Sequence, residues 1–217
     1  MGKRKGRGGS DDVRRARHER REKARKERQS QRREQQLATP PGVPRFITEF
    51  GCDLLANCGP QFFCTWHIPA ADAEAMKKAG RTPPGGIAGA LLLDTGATRT
   101  CIALKTATDL GLQPRRMQDG FGAGGKHSNP VFLARLEIKI IDLETKGRHV
   151  FAWEQEVEGI PELHNFAAPL EWEGRTVPVS GLLGRDILKH ARIHYDGPAG
   201  RLRFEFDVTS LRRQPSR

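Results

Sequence analysis

No apolar run in this chain approaches the roughly 18 residues that a membrane-spanning helix needs, so the sequence predicts no membrane contact. The N-terminus lacks the apolar core and small-residue cleavage site of a secretory signal, and it is too rich in Glu for a transit peptide. Cysteine is scarce as well, with only Cys52, Cys58, Cys64 and Cys101. Together these absences predict a cytoplasmic protein with reduced thiols. Apolar residues make up 36% of the chain, low for a fully globular protein, which predicts that part of it lies outside any core. There is no internal repeat.

What the chain has in excess is positive charge, and that charge is unevenly spread. Residues 1–36 hold 15 Lys/Arg against 6 Asp/Glu, so most of the net +11 sits there. Val13 to Gln36 contains good helix formers but almost no apolar face. The pairs Glu19–Lys23 and Glu22–Lys26 stand at i,i+4, worth about 0.3 kcal/mol each. Residues 1–42 therefore read as a solvated basic arm, disordered or partly helical, ending in the linker Thr39-Pro40-Pro41-Gly42. Residues 43–209 read as one domain and 210–217 as a basic tail. The arm has the charge for weak, salt-sensitive nucleic-acid binding through residues 3–33. An acidic partner, simple solvation and a removable pro-segment remain open beside that.

Within the domain the pattern is β-rich. Strands are predicted at Gln61–Ile68, Ile87–Asp94, Arg116–Phe121, Asn129–Ile141, His149–Glu156 and Thr176–Val179, with a closing hairpin at Ile193–Tyr195 and Leu202–Phe206. Helices are predicted near Ala71–Ala79, over Cys101–Leu110 and over Gly184–Lys189. The imperfect alternation of Val131, Leu133, Leu136, Ile138 and Ile140 predicts a bulge or face change near Ala134. Gly159-Ile160-Pro161 reads as a loop.

The chemically telling stretch is Leu91-Leu92-Leu93-Asp94-Thr95-Gly96-Ala97-Thr98. An apolar strand runs into a carboxylate on a Gly turn, and a carboxylate there is costly unless it is paired or hydrogen-bonded. A Gly-rich hairpin comes next, with Gly122-Ala123-Gly124-Gly125 at its tip. About ninety residues after Asp94 comes Leu182-Leu183-Gly184-Arg185-Asp186, and last the terminal hairpin.

In this order the four features resemble the retropepsin-like aspartic proteases, above all their bacterial single-domain relatives. The resemblance covers roughly residues 60–207. It implies an all-β acid-protease fold with a few short helices, acting as a homodimer on a peptide or protein substrate without metal or organic cofactor. Asp94 would be the catalytic carboxylate, paired with Asp94 of a second copy, since the chain has a single Asp-Thr-Gly. Thr95 would brace the two active-site loops, and Gly96 would let the loop approach the scissile peptide. Ala97 and Thr98 would contact substrate, and Gly122 to Gly125 would form a flap over it. Leu182, Leu183 and Gly184 would form the strand behind the catalytic loop, with Asp186 structural beside them. Arg185 would form a structural ion pair. Because Thr98 stands where viral members often carry an acid, Asp186 or a backbone carbonyl would take over as partner of Arg185. Leu91, Ala97, Ile102 and Leu182 would wall an apolar cleft. Residues 142–176 exceed what small members need and would cover the cleft, extend the dimer interface or regulate access. The alternative function is a catalytically silent dimeric peptide-binding module with a nucleic-acid-binding arm.

Other candidates carry less. Cys52, Cys58 and Cys64, with His67 three residues on, hold zinc-ligand chemistry, but their gaps are wider than in metal knuckles. Packed or free thiols are the expectation, and Cys101 reads as a small core residue. His190 and His194 fall around a strand, which makes them packing or surface residues. His127 reads as exposed near the flap, and Trp66, Trp153 and Trp172 as core or dimer-surface residues.

Overall fold

Strands β2 (Gln61–His67) and β3 (Ile87–Leu93) bury residues on both faces, the pattern of strands covered on two sides. The computed structural model describes residues 22, 45–50, 59–122, 125–161, 163, 170–172 and 174–207. The chain divides into two units, Met1–Val43 and Pro44–Arg217. The second unit is mostly β and contains every element described below. No helix among the described residues is long and apolar enough to cross a membrane.

Four further strands are β4 (Cys101–Ala103), β6 (Gly125–Ile141), β7 (Arg148–Ile160) and β10 (Val179–Leu183). With β2 and β3 they run in the order β2-β3-β10-β4-β7-β6, and a β2–β6 pairing closes the ring into a six-stranded barrel. Among the described residues strand β5 (Arg116–Gly122) pairs only with β6. Closure leaves no open edge in the ring, which removes a template for unwanted pairing. The barrel interior holds Phe62, Cys64, Trp66, Leu91, Ile102, Leu136 and Ile138, all essentially sealed from solvent.

One polar group inside that region is fully used. Ser180 Oγ accepts from Trp66 Nε1 at 3.0 Å, lies 3.4 Å from Cys64 Sγ and donates to the Ala90 carbonyl at 3.3 Å. Gly89 makes room for it, because a Cβ there would meet Ser180 Oγ at 2.1 Å.

A second cluster covers the other face of the same strands. Phe63, Ala90, Ala103 and Val179 pack with Leu163, Leu170 and Val177. The last two belong to the small hairpin of β8 (Leu170–Trp172) and β9 (Arg175–Val177). The described part of the long segment 142–176 thus includes a lid on the barrel wall, which explains why β3 and β10 are apolar on both sides. A separate three-stranded sheet has the order β1-β12-β11, from β1 (Arg45–Phe50), β11 (Ala191–Asp196) and β12 (Arg201–Asp207). Leu202, Phe204 and Phe206 alternate along β12 and join the main core. Phe204 meets Phe62 edge-on with centroids 5.1 Å apart, a favoured aromatic geometry.

The described helices of the second unit are short: α1 (Ala70–Lys78), α2 (Leu104–Asp109) and α3 (Arg185–Leu188). Helix α1 buries no residue, and Asp72 in its first turn and Lys77 and Lys78 in its last complement the helix dipole.

Several sequence expectations are corrected. Cys101–Leu110 is not one helix: Cys101–Ala103 forms β4 between β10 and β7, and the helix begins at Leu104. No bulge occurs near Ala134, since β6 and β7 pair without interruption from Val131↔Glu158 to Ile141↔Arg148. The inward row is Phe132, Ala134, Leu136, Ile138 and Ile140, and Leu133 belongs to the opposite face. Gly159 and Ile160 are not loop residues but pair with Ile102 and Ala103. A Cβ at Gly159 would come within 2.6 Å of the Phe132 ring. The strand expected at Thr176–Val179 is split at Pro178 into β9 and β10, and the Pro178 carbonyl accepts from Ala90 N at 2.8 Å. Strand β1 was not anticipated.

Candidate active site

Strands β3 and β10 run parallel, with Leu91↔Gly181, Leu92↔Leu182 and Leu93↔Leu183 in register. The pairing extends one step further, as Asp94 N donates to the Leu183 carbonyl at 3.1 Å. The chain then turns sharply. Asp94 Oδ1 accepts from Gly96 N at 2.8 Å and from Ala97 N at 3.1 Å, an Asx-type turn closed by the carboxylate itself. Oδ2 takes no donor among the described residues. Asp94 is half-buried, while Thr95, Gly96 and Thr98 are exposed. A Cβ on Gly96 would stand 3.1 Å from Asp94 Oδ1, so the glycine keeps the turn tight against the acid.

The second motif arrives on β10 and locks this turn from behind. Arg185 N donates to the Ala97 carbonyl at 3.0 Å, and Arg185 Nη2 donates to Thr98 Oγ1 at 2.9 Å. Arg185 therefore makes no ion pair among the described residues, and its partner is neither Asp186 nor a backbone carbonyl: the Thr98 hydroxyl takes that place.

Asp186 turns the other way. Its carboxylate accepts from Thr100 N at 2.9 and 3.0 Å, Thr100 Oγ1 at 2.7 Å, Ile187 N at 2.9 Å and Gln155 Nε2 at 3.2 Å. Thr100 Oγ1 in turn accepts from Gly184 N at 3.2 Å. Gly184 is needed for this closeness, because a Cβ there would strike the Arg99 carbonyl group at 2.3 Å. The two motif carboxylates thus differ in kind. Both Asp186 oxygens are occupied by donors from the fold, whereas Asp94 keeps one oxygen for something else.

Cys101 sits close behind. Burial pushes its thiol up to about 12, and the charges of Glu158, Asp186 and Asp94 add to the effect. Its Sγ donates to the Arg99 carbonyl at 3.4 Å. This thiol is a packed core group, not a nucleophile at neutral pH.

The other expected site residues are scattered in burial and role. Leu183 is sealed in the main core, and Leu182 packs partly against the second cluster. Leu91 and Ile102 are fully buried, so they cannot wall a cleft. Gly122 pairs with Gly125 at the hairpin tip, and Ala123 and Gly124 lie outside the described residues. Cys52 and Cys58 also lie outside them. Cys64 points into the barrel, where burial pushes its thiol up to about 12 and the Ser180 hydrogen bond opposes this in part. His67 leaves the opposite face of β2, 3.4 Å from Glu137, so the fold does not bring Cys64 and His67 together. Trp66 and Trp153 are core residues.

Thr100, Ser180, Gln155 and Glu158 shape the region and were missed by sequence reasoning. Only Ser180 left a trace, as a polar residue inside an apolar strand. A separate cavity of about 530 Å³, lined by Asp72, Met76, Arg81, Leu110, Arg115 and Leu133 among others, does not include Asp94. No family model matches the chain, and no curated protein matches it.

Proposed function

We propose that the protein is a retropepsin-like aspartic endopeptidase, active as a homodimer with Asp94 contributed by each copy. The observation that carries this reading is the state of Asp94. It ends a buried parallel strand, one oxygen is fixed by two backbone amides, and the other has no donor among the described residues. Exposure of Thr95, Gly96 and Thr98 on a single copy leaves the loop free to meet its twin across an isologous interface.

The reaction follows from two such acids side by side. They share one proton, because like charges that close cannot both ionise. The ionised carboxylate removes a proton from a water held between them. The protonated one donates to the carbonyl oxygen of the scissile peptide. Water oxygen bonds to the carbonyl carbon, giving a tetrahedral diol. Collapse of the diol, with proton transfer to the amide nitrogen, breaks the C–N bond and restores one shared proton. An extended peptide would lie along strand edges, under the hairpin of β5 and β6.

The test is cleavage of a diverse peptide library by wild type and by Asp94→Asn across about pH 4 to 7. Asn at 94 can still accept the Gly96 and Ala97 amides, so folding is expected to survive. Cleavage by wild type alone supports the reading. Silence from wild type, with fold and dimer verified, would remove it in favour of a peptide-binding module.

A further inference from the structure

The hairpin of β5 and β6 leaves the barrel at a defined rung. Pairing of β6 with β7 begins at Val131↔Glu158, and among the described residues β5 pairs with no strand other than β6. Residues 117–122 and 125–130 therefore form a two-stranded ribbon beyond the ring. Such a ribbon is marginal in water without further support. It also carries Met117 and Phe121, 59% and 85% exposed, so little apolar burial holds it in place.

Glu158 stands at the departure point and reaches onto the ribbon. It accepts from Asn129 Nδ2 at 2.8 Å, and His127 Nε2 lies 3.2 Å from the same oxygen. The Glu158 side chain is 13% exposed, and Asn129 is buried. On its other side Glu158 belongs to the Asp94 region. Its backbone N donates to the Thr100 carbonyl at 3.3 Å, and it pairs with Cys101. Two residues along β7, Glu156 does the same job: Arg116 of β5 contacts it at 2.7 Å and Arg99 at 3.8 Å. Glu158 thus holds the ribbon and Glu156 its base at Arg116, and Glu158 pairs with Cys101 in the segment that comes after Asp94.

We propose that Glu158 is a positioning residue that, through Asn129 and His127, sets how the ribbon stands over the Asp94 loop. This rests on reading the ribbon as the flap of the proposed peptidase. A hydrogen bond to a carboxylate in a shielded site is strong enough to shift the closed–open balance of the ribbon by about tenfold or more.

The experiment is hydrogen exchange by mass spectrometry on the full chain, with peptide-cleavage kinetics beside it. The variants are Asn129→Ala, His127→Ala and Glu158→Gln, the first two changing only the ribbon side. In Asn129→Ala, exchange in residues 117–128 is expected to rise about tenfold, with that in 132–140 unchanged. KM is expected to rise by a similar factor while kcat changes less than about threefold. Adding Glu158→Gln to Asn129→Ala is expected to add less than the Glu158→Gln change measured alone, because the two share the Asn129 contact and only the His127 contact is left to weaken. Ribbon exchange within about twofold of wild type would overturn the proposal. So would an equal loss of protection in 132–140, which marks a purely structural role. Exchange does not depend on turnover, so a protein that cleaves nothing would remove the peptidase reading and still decide the role of Glu158.

Discussion

Replacing Asp186 with Ala tests whether the second motif is a clamp on the Asp94 turn. The substitution removes the acceptor for two donors of Thr100, its amide and its hydroxyl. Thr100 is completely buried, so water cannot take over. Ile187 N keeps the Gly184 carbonyl at 3.2 Å, and Gln155 is only half-buried and can turn to solvent. The cost therefore falls on Thr100. At about 1.5–3 kcal/mol for each of the two bonds to a charged acceptor, the expected loss is about 3–6 kcal/mol. Asp186→Asn keeps one carbonyl oxygen in place and is expected to cost about 1–2 kcal/mol, which makes it the fallback if the Ala variant does not fold. Urea unfolding followed by tryptophan fluorescence reads both, with the slope unchanged if only the native state is affected. Thr100→Val combined with Asp186→Ala is expected to fall short of the sum of the singles by about 1–2 kcal/mol. An Asp186→Ala variant within about 1 kcal/mol of wild type would refute the clamp, and so would strict additivity in the cycle.

Gly184→Ala is expected to destabilise by about 3 kcal/mol or to prevent folding, because the added methyl meets the Arg99 carbonyl group at 2.3 Å. Its φ of −89° suits any residue, so a near-neutral result in thermal unfolding would contradict the steric account. Cys64 and Cys101 are expected to resist a maleimide at about pH 8 in the native protein and to label in urea, read by peptide mapping. Both thiols sit at about 12 when folded against 9.0 for an unperturbed thiol, so the unfolded chain loses these protons first. Stability from this source is intact below about pH 9 and declines as pH rises from 9 towards 12; unfolding midpoints that hold constant over that window would show the thiols to be less buried.

The parts of this fold that were legible in the sequence are those where burial writes a continuous pattern. Strand β3 is apolar throughout because one face meets the barrel interior and the other the Leu163–Leu170–Val177 cover. Its end at Asp94 was therefore visible. Strand β4 was not, because three residues of strand run directly into a helix at Leu104 and the two periods blur within one window. On β6, Leu133 imitated an inward residue, since an apolar side chain can also rest on the outer face. Hydrogen bonds to single hydroxyls and carboxylates were the least legible. Arg185 reaches Thr98 across 87 positions, Asp186 reaches Thr100 across 86, and Glu158 reaches Asn129 across 29. Such partners are set by strand register, which local periodicity does not encode.

The spacing between the two motifs becomes intelligible only through the strand order. Asp94 and Gly184 lie far apart in sequence, and β3 and β10 are parallel, so the chain must leave the sheet and return before they can meet. On its return β10 slips between β3 and β4, the two strands that flank the Asp94 turn. That insertion demands small residues where backbones and rings crowd. A Cβ at Gly181 would meet the Cys101 carbonyl at 2.5 Å and Trp66 at 2.7 Å, and one at Gly184 would meet Arg99. The glycines of the second motif are thus the steric condition for placing Arg185 and Asp186 against Thr98 and Thr100. Those contacts fix the turn that leaves one oxygen of Asp94 without a donor among the described residues. The second motif, which reads as sequence punctuation, is in the fold the reason that Asp186 is spent on structure while Asp94 keeps an oxygen with no donor among the described residues.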